Sequence, residues 1–188
     1  MVKKYVGTDG NDFFRANPTN ESWHLAGEFG NDTLYGGDKN DTLHGGGYSH
    51  DSLIGGKGDD TYYIDSYSDR IVEKANEGND TVFSRISHTL GSTFENLYLI
   101  PDERATHGTG NDKSNYIYGG YYGNVLNGMK GNDTVDGAGG HDIIQGSNGG
   151  GDYRERDTLI GGSGVDRFIL GTKYDKFYDN GGYNRPLA

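Results

Sequence analysis

One nine-residue phrase, repeated at near-constant spacing, dictates most of what this chain can become. Gly27-Glu28-Phe29-Gly30-Asn31-Asp32-Thr33-Leu34-Tyr35 runs directly into Gly36-Gly37-Asp38-Lys39-Asn40-Asp41-Thr42-Leu43-His44, and the phrase returns at 55–63, 128–136, 137–145 and 161–169. Its pattern is glycine at the first, second and fourth positions, Asp at the sixth and an aliphatic at the eighth. A short fixed period marks a stacked architecture, in which each unit buries its apolar side chain only against its neighbours. The composition fits such a stack. Of 188 residues, 31% are hydrophobic and 34 are glycine, and the formal charge is −11. Without a pattern these values would read as disorder. The apolar residues Leu34, Leu43, Val135, Ile144, Leu159 and Phe168 at the eighth position argue against a flexible acidic linker. One apolar column is a small core, so further stabilisation must come from elsewhere. A divalent cation would supply it while cancelling charge.

Several classes are excluded at this level. An acidic chain is a poor partner for nucleic acid, whose phosphates need Lys and Arg. No cysteine is present, which removes disulfides and thiolate metal sites. No apolar run approaches the roughly 20 residues of a membrane span. Met1-Val2-Lys3-Lys4-Tyr5 has no apolar core of a Sec-type signal. Neither His-Glu-x-x-His nor Gly-x-Ser-x-Gly occurs, so those two hydrolase templates fail.

The chain reads as one all-β solenoid domain, 1–188, in four parts. A first array spans 7–65, with loop-ending Asp12, Asp32, Asp41, Asp51 and Asp60. His50 is a one-residue insertion, and 16–26 is a degenerate unit with no loop Asp but with a strand at Trp23-His24-Leu25. Residues 66–107 lose the glycines and keep strand signals, such as Arg70-Ile71-Val72-Glu73 and Asp80-Thr81-Val82-Phe83. Pro101 to Ala105 reads as a surface excursion. A second array spans 108–170, with Asn115, Asn124, Asp133, Asp142, Asp157 and Asp166 at the sixth positions and a bulge around 149–156. The tail, 171–188, reads as a polar cap over the last open turn.

The loop chemistry points to one kind of ligand. Glycines permit tight turns that aim carbonyl oxygens inward, and the sixth residue adds a carboxylate. An all-oxygen, anionic and irregular donor set suits calcium; magnesium wants strict octahedra and zinc wants His or Cys. Two nonapeptides make one turn, so loops on one edge are alternate repeats, and stacked turns lie about 4.8 Å apart. The expected pairs are Asp12 with Asp32, Asp32 with Asp51, Asp41 with Asp60, Asp133 with Asp157, and Asp142 with Asp166. Asn115 with Asp133 and Asn124 with Asp142 would be half-neutral and weaker. The strongest sites are expected around Asp32, Asp41, Asp133 and Asp142.

This repeat resembles the hemolysin-type, or RTX, calcium-binding nonapeptide. Segments of the middle, Gly78-Asn79-Asp80-Thr81-Val82 and Glu95-Asn96-Leu97-Tyr98-Leu99 among them, also look like the spacer between RTX arrays of secreted bacterial proteins. The resemblance implies a parallel β-roll, a right-handed β-solenoid with several calcium ions in its turns. It also implies loop carbonyls as ligands, which on this chain would fall at Gly10, Gly27, Gly30, Gly37, Gly55, Gly131, Gly137, Gly139 and Gly161. It further implies extracellular localisation by type I secretion.

Other features stay secondary. His50 and His141 precede loop aspartates and read as exposed spacers. Thr33, Thr42, Thr61, Thr134 and Thr158 form an outward ladder too often broken to be a flat binding face. Tyr116, Tyr118, Tyr121 and Tyr122 cluster near one turn, where amphipathic rings covering a solenoid face outweigh a ligand platform. Three functions remain open: a calcium-binding folding module without catalysis; an enzyme or accessory module acting on polysaccharide or another substrate along a tyrosine-rich face; and an adhesion or surface-layer component binding another protein.

Overall fold

The computed structural model describes residues 1–17, 21–100, 104–147, 154–169, 171–179 and the strand 185–187. The expected bulge at 149–156 and the expected excursion at 101–105 lie mostly outside these residues, as does part of the tail. The chain divides into two compact units, Met1–Phe83 and Ser84–Ala188. The described residues contain short strands and no helix, and every strand pairing is parallel.

In the first unit, Lys3–Val6, Trp23–Ala26, Thr42–His44 and Thr61–Ile64 stack as one sheet, and Phe13–Arg15, Thr33–Gly37, Ser52–Gly56 and Arg70–Val72 as the other. In the second unit, Asn96–Leu99, Tyr116–Tyr118, Thr134–Asp136, Thr158–Ile160 and Lys176–Tyr178 form one sheet. Its partner runs through His88–Thr89, His107–Thr109, Val125–Met129, Ile143–Ser147, Arg167–Ile169 and Arg185–Leu187. Apart from Gly139–Gly140 and Ser163–Gly164, which pair with each other, successive strands alternate between the two sheets of each unit, and neighbours within a sheet lie one full turn apart. This is the parallel β-roll that the resemblance implies.

Register explains the core. Leu34 pairs with Leu53, Leu25 with Leu43, Ile117 with Val135 and Leu126 with Ile144. Identical phases superpose because an eighteen-residue turn brings position eight onto position eight. Leu25, Leu34, Leu43, Leu53, Tyr62 and Val82 in the first unit are 0% exposed, as are Leu97, Ile117, Leu126, Val135, Ile144, Leu159 and Phe168 in the second. The positions on either side point outward, and there the rings stack turn on turn. Tyr63 lies 5.1 Å from Phe83 at an interplanar angle of 11°, and Tyr98 lies 5.5 Å from Tyr116. Side chains of this kind cover a pleated face with apolar area while keeping a polar tip in water.

Loop glycines are required where turns touch. Gly30 and Gly131 sit at φ +107° and +110°, and a methyl on Gly131 would fall 2.6 Å from Lys113 C and 2.8 Å from Ser114 N. The second loop position also takes positive φ, yet three non-glycines occupy it: Glu28 (76°), Met129 (80°) and Ala138 (67°). Each bears the left-handed penalty of roughly 1–2 kcal/mol.

Candidate metal centre

The sixth-position residues form four vertical columns, and each carboxylate divides its two oxygens between two tasks. One oxygen builds the stack. The Asp12 N–H donates to Asp32 Oδ1 (2.8 Å), the Asp32 N–H to Asp51 Oδ1 (2.8 Å) and the Asp41 N–H to Asp60 Oδ1 (2.7 Å). In the second unit the Asn115 N–H donates to Asp133 Oδ1 (2.8 Å), the Asp133 N–H to Asp157 Oδ1 (2.9 Å), the Asn124 N–H to Asp142 Oδ1 (2.7 Å) and the Asp142 N–H to Asp166 Oδ1 (3.0 Å). Every expected neighbour pair is therefore brought together. The separations range from 18 to 24 residues with one bond geometry, so insertions leave the column untouched. In the degenerate unit the Trp23 N–H takes the vacant place, donating to Asp41 Oδ1 (2.6 Å).

In six of these residues the second oxygen accepts no hydrogen bond, whereas Asp51 Oδ2 accepts the Ser49 hydroxyl (3.1 Å). Oδ2 of Asp32, Asp41, Asp60, Asp133, Asp142 and Asp157 is buried without a hydrogen bond. A buried unpaired carboxylate oxygen is costly, so its recurrence at equivalent positions marks a ligand direction. The first-position glycines report where these oxygens point. A methyl on Gly27, Gly36, Gly128 or Gly137 would collide with Oδ2 of Asp32, Asp41, Asp133 or Asp142, and also with the carbonyl oxygen of Gly45, Gly55, Gly146 or Gly161 one turn on. A free carboxylate oxygen and a carbonyl oxygen thus converge on one point in each of these loops. Among the described residues, the atoms nearest these points are oxygens and the aspartate side-chain carbons, with no nitrogen or sulfur. The residues fit a hard cation held by oxygen alone, as calcium is.

The column ends are closed by different chemistry. Asp12 Oδ2 accepts from the Thr8 N–H (2.6 Å) and the Thr8 hydroxyl (3.0 Å). Asp69 Oδ1 accepts from the Asp51 N–H (3.2 Å) while its Oδ2 folds onto the Ser66 N–H (3.1 Å). Asp175 likewise receives the Asp157 N–H (3.4 Å) and closes on the Gly171 N–H (2.9 Å). At the start of the second-unit columns, the Asn124 amide donates to Ala105 O (2.8 Å), and Asn115 donates to Phe94 O and Glu95 O (3.2 Å each). Asparagine stands at these two positions because a carboxylate has no proton to give.

Electrostatics follow from this burial. Desolvation pushes the Asp60 carboxyl up to about 9, Asp133 to about 8, Asp142 to about 7, and Asp41, Asp51 and Asp157 to about 6. Asp32 is also raised by burial. The column N–H bond to Oδ1 works in the opposite direction and is outweighed. Asp12 is held below its ordinary value, chiefly by the Thr8 N–H. Interior members of the columns therefore carry charge only at a cost, unless a cation or a proton neutralises them.

Among the carbonyls expected from the resemblance, those of Gly27, Gly55, Gly137 and Gly161 lie against a sixth-position side-chain oxygen of the preceding turn. Gly37 O instead accepts the Lys57 N–H (2.9 Å), and Gly139 pairs with Ser163. Gly10 stacks under Gly30, and Gly131 over Lys113. Sequence reasoning did not single out Gly45, Gly128 and Gly146 as carbonyl donors, nor Asp69, Asp80 and Asp175 as column members. Spacing alone marked two of these: Asp69 lies 18 residues beyond Asp51, and Asp175 lies 18 beyond Asp157. His141 is a stacking residue, its Nδ1 accepting the Val165 N–H (2.9 Å). Tyr121 and Tyr122 are exposed.

These features define a class: parallel β-rolls with acidic, glycine-tight loops stacked over one another. The RTX calcium-binding nonapeptide repeat matches the chain in four copies, at 46–66, 108–144, 118–152 and 154–182. The chain belongs to the RTX family and carries calcium-binding repeats. It is also 38% identical over 88 residues to the endo-1,3-1,4-beta-glycanase ExsH of Rhizobium meliloti (strain 1021), a match covering 47% of this chain and 18% of that protein. The chain thus corresponds to a small part of that relative's length. No helix of the described residues is long and apolar enough to cross a membrane.

Proposed function

We propose that this chain is a calcium-dependent folding module of a secreted bacterial protein. Its ligands are the free Oδ2 atoms of the column aspartates together with first-position glycine carbonyls. The observation that carries the reading is the set of six buried, unpaired Oδ2 atoms at equivalent places in the columns. With no cation, each column stacks desolvated carboxylates that must either repel one another or hold protons, and one aliphatic row cannot offset that cost. Calcium supplies the missing positive charge and bridges adjacent turns. Extracellular calcium modules bind at roughly 10⁻⁴–10⁻³ M, so such a chain stays unfolded in a calcium-poor cytosol and folds outside. Asp32, Asp41, Asp133 and Asp142 combine a free Oδ2 with a converging carbonyl, which supports the ranking of these four sites as strongest. Asp32 has two column neighbours and Asp12 is closed by Thr8. Counting bound ions by native mass spectrometry tests this: Asp32→Ala should remove more calcium than Asp12→Ala, and equal losses would contradict the pairing.

A second reading is an accessory role on a glycan. The first unit has a groove of about 580 Å³ lined by Arg15, Tyr35, Ile54, Arg70 and Lys74, with the Arg15 guanidinium 4.6 Å from the Tyr35 ring centroid. The partial similarity to a glycanase favours a polysaccharide as the partner. Affinity electrophoresis in acidic and neutral glycans, comparing the native chain with Arg15→Ala, tests it; unchanged mobility in all of them would dismiss it.

A further inference from the structure

We propose that Asp60, Glu73 and Asp80 form an additional calcium site that closes the second column of the first unit, with Glu73 supplying the ligand that a glycine carbonyl supplies elsewhere. The inference rests on the calcium reading above and extends it into 67–80, beyond the copy of the repeat matched at 46–66.

Register carries the first part of the argument. Ile54 pairs with Val72, so Glu73 stands one turn beyond Gly55. Gly55 itself stands one turn beyond Gly36 and directs its carbonyl toward Asp41 Oδ2. At the next level a side chain replaces the bare backbone, and its carboxylate turns back into the column. A methyl on Gly55 would meet Asp60 Oδ2, the Tyr62 hydroxyl and Glu73 Oε1 together. These three oxygens surround the place that Oδ2 and a carbonyl flank in the loop below.

The second part is the state of the oxygens. Asp60 Oδ1 is committed to the Asp41 N–H (2.7 Å), and Asp60 Oδ2 is buried with no partner. Asp80 Oδ1 receives the Asp60 N–H (2.9 Å), continuing the column. Glu73 Oε1 accepts the Tyr62 hydroxyl, which in turn accepts the Gly55 N–H (2.6 Å). Glu73 Oε2 is buried and has no partner. Tyr62 thereby fixes the orientation of Glu73 while leaving one of its oxygens free.

Distance carries the third part. One oxygen from each of the three carboxylates lies within 4.8 Å of the others. Calcium holds its ligands at about 2.3–2.6 Å, so oxygens on opposite sides of one ion are about 4.6–5.2 Å apart. A single ion can therefore engage all three. Carboxylates this close in a buried setting repel strongly unless a cation lies among them. The donor set is oxygen throughout and not octahedral by design, which favours calcium over zinc or magnesium. Three carboxylates also bring more charge than the two of an ordinary column site. The ion would fasten the last turn of the first array to the segment that follows.

The test is the number of calcium ions bound by the full chain, measured by equilibrium dialysis with calcium alone. Glu73→Gln keeps the volume and a hydrogen-bond acceptor for Tyr62, and should remove one ion per chain while β-structure persists in calcium. Asp80→Asn should do the same, and stands in if Glu73→Gln does not fold. Tyr62→Phe keeps all three carboxylates and should retain the ion. If Glu73→Gln and Asp80→Asn bind as many ions as the native chain, with the same affinity, the site does not exist and the column sites stand. If Tyr62→Phe loses the ion as completely as Glu73→Gln, packing rather than coordination is responsible, and the proposal fails. If the native chain binds no calcium, both this site and the parent reading fall.

Discussion

Asp133→Asn should change sign with calcium. Asp133 is buried, donates its N–H to Asp157 Oδ1 and accepts the Asn115 N–H on its own Oδ1, leaving Oδ2 free beside the Gly146 carbonyl. Asparagine preserves the Oδ1 bond and puts an N–H₂ where Oδ2 was, facing a carbonyl that can accept it. Asn115 already does this one turn earlier, donating to Phe94 O and Glu95 O. Burial raises the Asp133 carboxyl from 3.8 to about 8, so at pH 7 the unfolded chain ionises the group and the calcium-free fold does not. Holding the proton against that tendency opposes folding by roughly 4 kcal/mol at about 1.36 kcal/mol per unit. Asparagine removes most of this, so the substitution should stabilise the calcium-free fold. With calcium, the loss of a charged ligand should weaken binding at that level at least tenfold, about 1.4 kcal/mol. The assay is the far-UV circular dichroism of both proteins at pH 7, in chelator with increasing trimethylamine oxide, and in calcium with increasing urea. Asp133→Asn should need less osmolyte to fold in chelator and less urea to unfold in calcium. Destabilisation of similar size under both conditions would refute the assignment of Oδ2 as a ligand.

Other outcomes follow from the same geometry. Because the folded carboxyl groups titrate upward, with Asp60 near 9, Asp133 near 8, Asp142 near 7 and Asp41, Asp51 and Asp157 near 6, the stability they contribute without calcium is complete below about pH 4 and is lost as pH rises through these values. Circular dichroism in chelator should therefore show more β-structure at pH 5 than at pH 9, whereas calcium affinity, by titration calorimetry, should fall over the same descent because protons compete. Gly131→Ala should abolish folding of the second array even in saturating calcium, since φ is +110° and a methyl meets backbone, a penalty of roughly 3 kcal/mol or more. Gly10→Ala, whose methyl meets only Thr8 Oγ1 at 3.8 Å, should shift the urea midpoint negligibly. Ala138→Gly relieves a left-handed alanine worth roughly 1–2 kcal/mol, offset in part by about 0.5–1 kcal/mol of glycine entropy; the urea midpoint in calcium should rise slightly or stay, and a clear fall would contradict the strain.

Where the signal was periodic, the sequence could be read to the level of individual neighbours. The spacing of Asp32, Asp41, Asp51 and Asp60 predicted which carboxylates meet, because parallel register in a roll follows from counting residues per turn. The division of labour within each carboxylate was not legible, since it depends on which oxygen the N–H of the turn below reaches. Asp69, Asp80 and Asp175 are not marked by the repeat because their loops keep at most one of its three glycines: none before Asp69, Gly78 before Asp80 and Gly171 before Asp175. Glu73 was hidden for a related reason: it occupies a glycine position, so it reads as the end of the pattern when in the structure its side chain enters the column. Glu28, Met129 and Ala138 show the converse limit. Their loop shape is imposed by stacking against the turn below, which overrides their own backbone preference.

The most direct test is a calcium titration of the full chain in excess chelator at neutral pH, followed by far-UV circular dichroism. A disordered spectrum that converts cooperatively to β-structure near roughly 10⁻⁴–10⁻³ M free calcium is the predicted result. A chain already β-structured in chelator, with a spectrum unchanged by calcium, would contradict the coupling of the buried carboxylates to the fold.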